Sequence, residues 1–195
     1  MKYIRDTLDF SVKEPSAITL GKFDGLHRGH ELLMENLLNQ SAENGYRSIV
    51  FTFDIPPTRK TGKVEAQVLT TNEEKYHIFE ETGVDYLIEC PFTNEVMCME
   101  PEKFVRWIVS ALHVKCMIVG KDFHFGHNRG GDYRLLEKLS GELGYRVIVL
   151  EKIQEDGRDI SSTFVREEIK KGAIEKANHL LGYEFFVKSR VIHGK

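Results

Sequence analysis

Cysteine is scarce in this 195-residue chain: Cys90, Cys98 and Cys116 are all there is. An odd number at no zinc-like spacing argues against a disulfide framework and a thiolate metal cage. Reduced, partly buried thiols are the expectation. Long apolar runs are also missing; the longest are short strands, far below a membrane span. The start, Met-Lys-Tyr-Ile-Arg-Asp, has no apolar signal-peptide core, so a cytoplasmic location is expected. Neither sign of charge dominates: 27 Lys+Arg against 30 Asp+Glu leave a net charge of -3. No nucleic-acid footprint follows from that balance, and small phosphorylated ligands suit its local basic clusters better. Gly-x-Ser-x-Gly and Cys–His pairing signals are absent too, which leaves no sign of a covalent nucleophile. Internal repeats and low-complexity segments are missing as well.

What is present is an ordinary globular composition, 41% hydrophobic and 29% charged, in a length that buries one good core. Residues 1–8 form a strand-like piece, and Ala17–Leu20 reads as a buried strand. A helix from about His30 to Asn44 places Leu33, Met34, Leu37, Leu38 and Ala42 on one face, closed by Gly45. Strands follow at 46–53, 85–90, 115–120 and 145–150. Between them, Thr71-Asn-Glu-Glu74 is a capping box, Pro101 suits the first turn of a helix carrying Phe104, Trp107, Ile108 and Leu112, and Gly144 caps another. Strand–helix alternation predicts an α/β fold with a five-stranded parallel sheet and helices on both faces. Beyond the last strand, 161–166 opens a helix, Gly172 and Gly182 close two short ones, and 183–192 alternates as a strand.

In such sheets ligands sit beyond the carboxyl ends of the strands. The loops at 21–30, 54–66, 120–131 and 151–162 fall on that edge, where Gly, His, Arg and Lys collect. The most informative is Ile18-Thr-Leu-Gly-Lys-Phe-Asp-Gly-Leu-His-Arg-Gly-His30. Its glycines let backbone approach a ligand, and the helix entry offers unpaired N–H groups and the positive end of the dipole. His27 and His30, three apart across that entry, can donate to phosphate oxygens. Ser162 and Thr163 open a second helix with Arg166 in its first turn, a further anion seat beside the commoner role of a cap. The loop 54–66, with Arg59, Lys60 and Lys63, reads equally as a flap over a ligand or a solvated connector. His124 and His127 form a second His-x-x-His, for which a zinc site is the rival to a plain surface turn.

These residues resemble a known family. Gly-Lys-Phe-Asp-Gly-Leu-His-Arg-Gly-His looks like the His-x-Gly-His signature of nucleotidyltransferases. The longer pattern is similar to the FMN adenylyltransferase (FAD synthetase) module of bacterial bifunctional riboflavin kinase/FAD synthetases. Phe51-Thr-Phe-Asp, Leu69-Thr-Thr through Gly83-Val-Asp-Tyr, Val119-Gly-Lys-Asp-Phe-His-Phe-Gly with Arg129 and Gly130, and Ile160-Ser-Ser-Thr-Phe-Val-Arg166 support the narrower match.

The resemblance implies a Rossmann-like fold and the reaction FMN + ATP → FAD + pyrophosphate with Mg²⁺, by direct in-line attack. It implies His27, His30 and Arg166 as catalytic residues. Gly21, Phe23, Asp24, Gly25, Ser162 and Thr163 join them around ATP, and Phe53, Asp54, Pro57, Asp122, Phe123 and Arg129 lie on the FMN side; no protein-held metal is implied. Residues 1–182 would be the adenylyltransferase domain and 183–195 the start of a kinase barrel that these residues do not complete. Two departures stand out. Ile55-Pro56-Pro57 replaces the usual Pro-His-Pro, and Lys22 replaces a common Asn. Transfer to another phosphorylated acceptor, or flavin or nucleotide binding without turnover, are the rival readings.

Overall fold

The organising strand is β2 (Ser16–Leu20), whose five residues are all buried. In the computed structural model, which describes residues 1–54 and 68–189, it is flanked by β3 (Arg47–Asp54) and β5 (Val114–Gly120). Outward from β3 come β4 (Tyr86–Pro91) and β1 (Lys2–Arg5); outward from β5 comes β8 (Arg146–Leu150). Every neighbouring pair is parallel. The sheet therefore has six strands rather than the expected five. The addition is the N-terminal piece, which pairs Lys2 with Tyr86 through Arg5 with Glu89 at the edge. Four residues, none fully buried, carry too short a pattern to read as a sheet member.

Side chains alternate between two cores, as a period of two requires. Ala17, Val50, Leu87 and Ile118 face α1 (Arg28–Asn44) and α2 (Asn72–Glu81), meeting Leu33, Leu37 and Phe79. Ile18, Leu20, Phe51 and Met117 face α4 (Pro101–Leu112) and α5 (Tyr133–Leu143), meeting Phe104, Ile108, Leu136 and Leu139. Each fully buried leucine in these layers is worth about 2 kcal/mol of transfer free energy. A smaller core joins Leu69 and Ile160 to α6 (Ser162–Lys170) and α7 (Ile174–Leu181).

Local signals explain most boundaries. The Thr71–Glu74 capping box forms in both directions, Pro101 occupies the first turn of α4, and Gly45 and Gly144 close their helices in the left-handed region. A short α3 (Asn94–Met97), capped by Thr93, and two small hairpins were not anticipated. One hairpin pairs β6 (His124–Phe125) with β7 (Gly131–Asp132). The other pairs β9 (Gln154–Glu155) with β10 (Arg158–Asp159) around Asp156-Gly157, both at positive φ, the twist a two-residue hairpin needs.

The strand expected at 183–192 is not formed over residues 183–189. Their backbone donors go to side chains: Phe185 N–H donates to Asn178 Oδ1 and Lys188 N–H to Glu74 Oε1, each within 2.8 Å. Residues 190–192 of that strand, the flap residues Arg59, Lys60 and Lys63, and Pro57 lie outside the described residues. Among the described residues, no helix is long and apolar enough to cross a membrane.

Candidate active site

The chain leaves β2 for β3 on one side and returns from α4 to β5 on the other. The carboxyl ends of β2 and β5 therefore splay at a topological switch point, the crevice where open α/β sheets take ligands. The loop 21–27 fills that point. Phe23 adopts a left-handed φ of 47°, which folds its buried ring beneath Gly21, where an added Cβ would meet the ring at 3.0 Å. The ring supports the site from below, edge-on to His30 and to Phe79 at 5.1 and 5.5 Å, instead of facing a ligand. Gly25, at φ 65°, is required where a Cβ would come within 2.7 Å of Leu69.

Asp24 fastens this loop to its surroundings. One carboxylate oxygen accepts from Leu69 N–H at 2.7 Å and Thr70 N–H at 3.3 Å. The other pairs with the Arg166 guanidinium at 3.0 Å. Its backbone carbonyl accepts from Ser162 Oγ at 2.6 Å. The N-cap of α6 is Ser161, whose side chain accepts from Phe164 N–H. Ser162 and Arg166 thereby join the first turn of α6 to the β2 loop, and Arg166 lies against Thr163 Oγ1 at 3.5 Å. Nε of Arg166 is a buried donor with no partner among the described residues.

His27 is the N-cap residue of α1, yet its side chain makes no capping bond, so the Arg28 and Gly29 amides stay available while His30 N–H donates to the His27 carbonyl at 2.6 Å. His30 is not an exposed loop residue but lies in the first turn of α1, half-buried. The two imidazoles stack, centroids 3.7 Å apart and planes 19° from parallel. Gly29 makes room for this, since a Cβ there would sit 3.2 Å from His27 Nδ1.

Burial, then the neighbouring His30, pushes the His27 pKa down to about 2. Burial lowers His30 to about 4, against the Gly25 carbonyl, Asp24 and Asp122, which pull it up. Both rings are thus neutral near pH 7. His30 Nδ1 lies 3.2 Å from the Gly25 carbonyl, a contact that assigns the proton to Nδ1. His27 Nδ1 is buried without a partner among the described residues, which favours the tautomer whose N–H is at Nε2.

On the β5 side, Asp122 follows Gly120 with its carboxylate exposed, and Phe123 stacks on Phe125 at 5.4 Å. Arg129 is exposed on the 3-10 turn His127–Arg129, at φ 58°. His124 and His127 bond to separate carbonyls, those of Asp122 and Met97. On the β3 side, Phe53 packs among Phe51, Phe92 and Phe104, and Asp54 accepts from Asn72 Nδ2 at 3.0 Å.

Two groups escaped the sequence reading. Lys75 and Glu89 form a buried pair at 3.9 Å, with Asp24 and Asp54 also acting on the ammonium and Asn72 bridging Glu89 to Asp54. Burial drives both members toward neutrality, Lys75 downward and Glu89 upward. A glutamate inside the apolar run Tyr-Leu-Ile-Glu-Cys was the available signal. The second group is Lys152, whose ammonium lies 3.0 Å from Asp122 and 3.1 Å from Asp159.

Residues 9–164 match the family model described as FAD synthetase. The chain is 35% identical over 199 residues to the bifunctional riboflavin kinase/FMN adenylyltransferase of Escherichia coli (strain K12), covering all of this chain and 63% of that protein. It is 31% identical to the Bacillus subtilis (strain 168) protein of the same name, covering 92% of this chain and 57% of the relative. It thus spans less than two thirds of these curated relatives. Among solved structures, the macrolide-efflux protein from Streptococcus pneumoniae aligns at TM-score 0.81 and 23% identity, over 93% of this chain and 59% of that one. Pantothenate synthetase from Thermus thermophilus aligns at TM-score 0.54 and 16% identity, over 93% of this chain and 81% of that one. At these identities the likeness concerns the fold alone.

Proposed function

The chain belongs to the FAD synthetase family, and from that premise we propose that it transfers the adenylyl group of ATP to FMN, forming FAD and pyrophosphate. The observation that carries the reading is the stacked, neutral His27–His30 pair at the uncapped start of α1, on the switch point of the sheet.

An oxygen of the FMN phosphate attacks the α-phosphorus of ATP in line. The bond from that phosphorus to the bridging oxygen of the β-phosphate breaks, and pyrophosphate departs. Such a step asks for alignment and charge stabilisation, not a protein nucleophile. The α1 amides and the Nε2–H of His27 face the phosphates as neutral donors. His30 plays a different part. Its Nδ1–H is committed to the Gly25 carbonyl, so its Nε2 takes up a proton as the phosphates arrive and then donates to them as an imidazolium. Stacking at 3.7 Å disfavours charge on both rings, so this division of labour holds.

Ser162, Thr163 and Arg166 hold the triphosphate at the start of α6, where Nε of Arg166, without a partner among the described residues, awaits an acceptor. Gly21 and Gly25, by making room for the Phe23 ring and Leu69, shape the loop backbone that faces ATP. Phe53 and Asp54 on the β3 side, with Asp122, Phe123 and Arg129 on the β5 side, bracket the acceptor; Pro57 is assigned to the acceptor by the family resemblance alone. Bound as MgATP, Mg²⁺ would offset phosphate charge, and the exposed carboxylate of Asp122 would be the protein group to hold it. We place the reaction in the cytoplasm. We also assign 1–182 to the adenylyltransferase unit and 183–195 to the passage toward a kinase barrel.

Ile55-Pro56-Pro57, in place of Pro-His-Pro, makes acceptor identity the point to test. The protein is incubated with MgATP and a panel of FMN, other phosphorylated acceptors and unphosphorylated riboflavin, and adenylylated products are resolved by chromatography. FAD as the dominant product is expected; adenylylation of another acceptor in preference to FMN would overturn the assignment.

A further inference from the structure

The histidine pair is flanked by two cation–carboxylate pairs, and they are built differently. On the β2 side, Arg166 pairs with Asp24, whose side chain is 14% exposed and also accepts two backbone N–H groups. That carboxylate is fixed. On the β5 side, Lys152 lies between Asp122 and Asp159, whose side chains are 62% and 41% exposed. Lys152 follows β8 by two residues. The bond from Ile160 N–H to the Ile153 carbonyl at 2.9 Å closes the loop behind it. Ile160, the residue after Asp159, brings its carbonyl within 3.8 Å of where a Cβ would stand on Gly29, between the two histidines, and the charge of Lys152 acts on His27.

We propose that Lys152 is a polyphosphate-binding residue of this site, held between Asp122 and Asp159 until the phosphates of the nucleotide arrive and then transferred to them. The inference rests on the adenylyl-transfer reading for the nature of the ligand.

The energetics favour the transfer. Ion pairs between solvated groups contribute little, so leaving Asp122 and Asp159 costs little. A tri- or pyrophosphate offers several charges at once beside low-dielectric walls. Lysine suits the task as a point charge with three rotatable donors on a flexible stem, able to swing between partners without a fixed fork geometry. Asp159 is not left bare when the ammonium departs, because its Oδ1 accepts from Gln154 Nε2 at 2.9 Å. Partial burial weakens the ammonium's charge, but the hydrogen bonds to Asp122 and Asp159 hold its pKa above the usual lysine value. It therefore stays charged throughout the working range.

A loop clamp is the competing role: Lys152 would merely tie the β5 loop to the β9–β10 hairpin. The two roles predict opposite signs for one substitution. Binding of inorganic pyrophosphate is measured by calorimetry on the full chain, with thermal melts alongside. Lys152→Met keeps the stem and removes the charge, and should weaken pyrophosphate about ten-fold; Lys152→Arg should restore most of it. Asp159→Asn removes a competitor for the ammonium and should tighten pyrophosphate about two- to five-fold. A clamp predicts that Asp159→Asn loosens binding as Lys152→Met does. That result would overturn the proposal, as would unchanged affinity in Lys152→Met or no pyrophosphate binding by the unmodified protein. FAD formation is scored separately. Lys152-dependent pyrophosphate binding without FAD would sink the FMN assignment and leave this proposal standing.

Discussion

A buried neutral histidine ties stability to pH, and His27 offers a clean case. Its pKa is 6.5 in an unfolded chain and about 2 in the fold. A folded value below the unfolded one means full stability above pH 6.5, lost as the pH falls toward the folded value. At pH 5 the unfolded state holds nearly one proton at this site and the native state almost none. Integrating from pH 7.5 to pH 5 gives a loss of about 2 kcal/mol from this residue. His30, at about 4 in the fold, adds a loss over the same window that levels off sooner. Other groups titrate as well, so the measurement is differential. Urea denaturation of the wild type and of His27→Leu is followed at several values between pH 7.5 and 5. The wild type should lose about 2 kcal/mol more than the variant across that range. Parallel profiles would show that His27 titrates normally in the fold, and the account of a neutral stacked pair would fail.

Other substitutions probe the frame around the pair. Gly25→Ala forces a left-handed alanine into Leu69 and should cost about 1–3 kcal/mol in urea denaturation; no loss would contradict the loop geometry. Lys75→Met leaves Glu89 buried and unpaired and should cost about 3–5 kcal/mol, while adding Glu89→Leu should recover much of it. Equal stability of the single and double variants would remove the pair from the frame. Arg166→Ala should raise KM for ATP about ten-fold or more and also lower Tm, because Asp24 loses its guanidinium partner. An unchanged ATP dependence would reduce the start of α6 to a scaffold.

The strands β2, β3, β4, β5 and β8, their helices and the carboxyl edge that carries the candidate site were legible because each rests on a local signal. These were apolar strands of regular length, the Thr71–Glu74 capping box, Pro101 in a first turn and glycines just past helix ends. Asp156-Gly157 was also a readable hairpin signal, overlooked because its strands have only two residues each. The rest depends on tertiary placement. Phe23 reads as a ligand-facing residue of a glycine-rich loop until its φ turns the ring into the core. Lys75 and Lys152 carry no local sign of their pairing, since burial and ion pairs arise only when distant segments meet. Tyr183 onward alternates like a strand but finds no strand partner over the described residues, so side chains of Glu74 and Asn178 take its amides.

The central claim is that His27 and His30 serve transfer of AMP to FMN. The most direct test follows FAD and pyrophosphate together after the protein meets FMN and MgATP, in the wild type and in His30→Ala. Equal appearance of the two products is expected. The variant should be slower at least about ten-fold, with an unchanged circular dichroism spectrum. Pyrophosphate without FAD, or equal rates from the two proteins, would contradict the account.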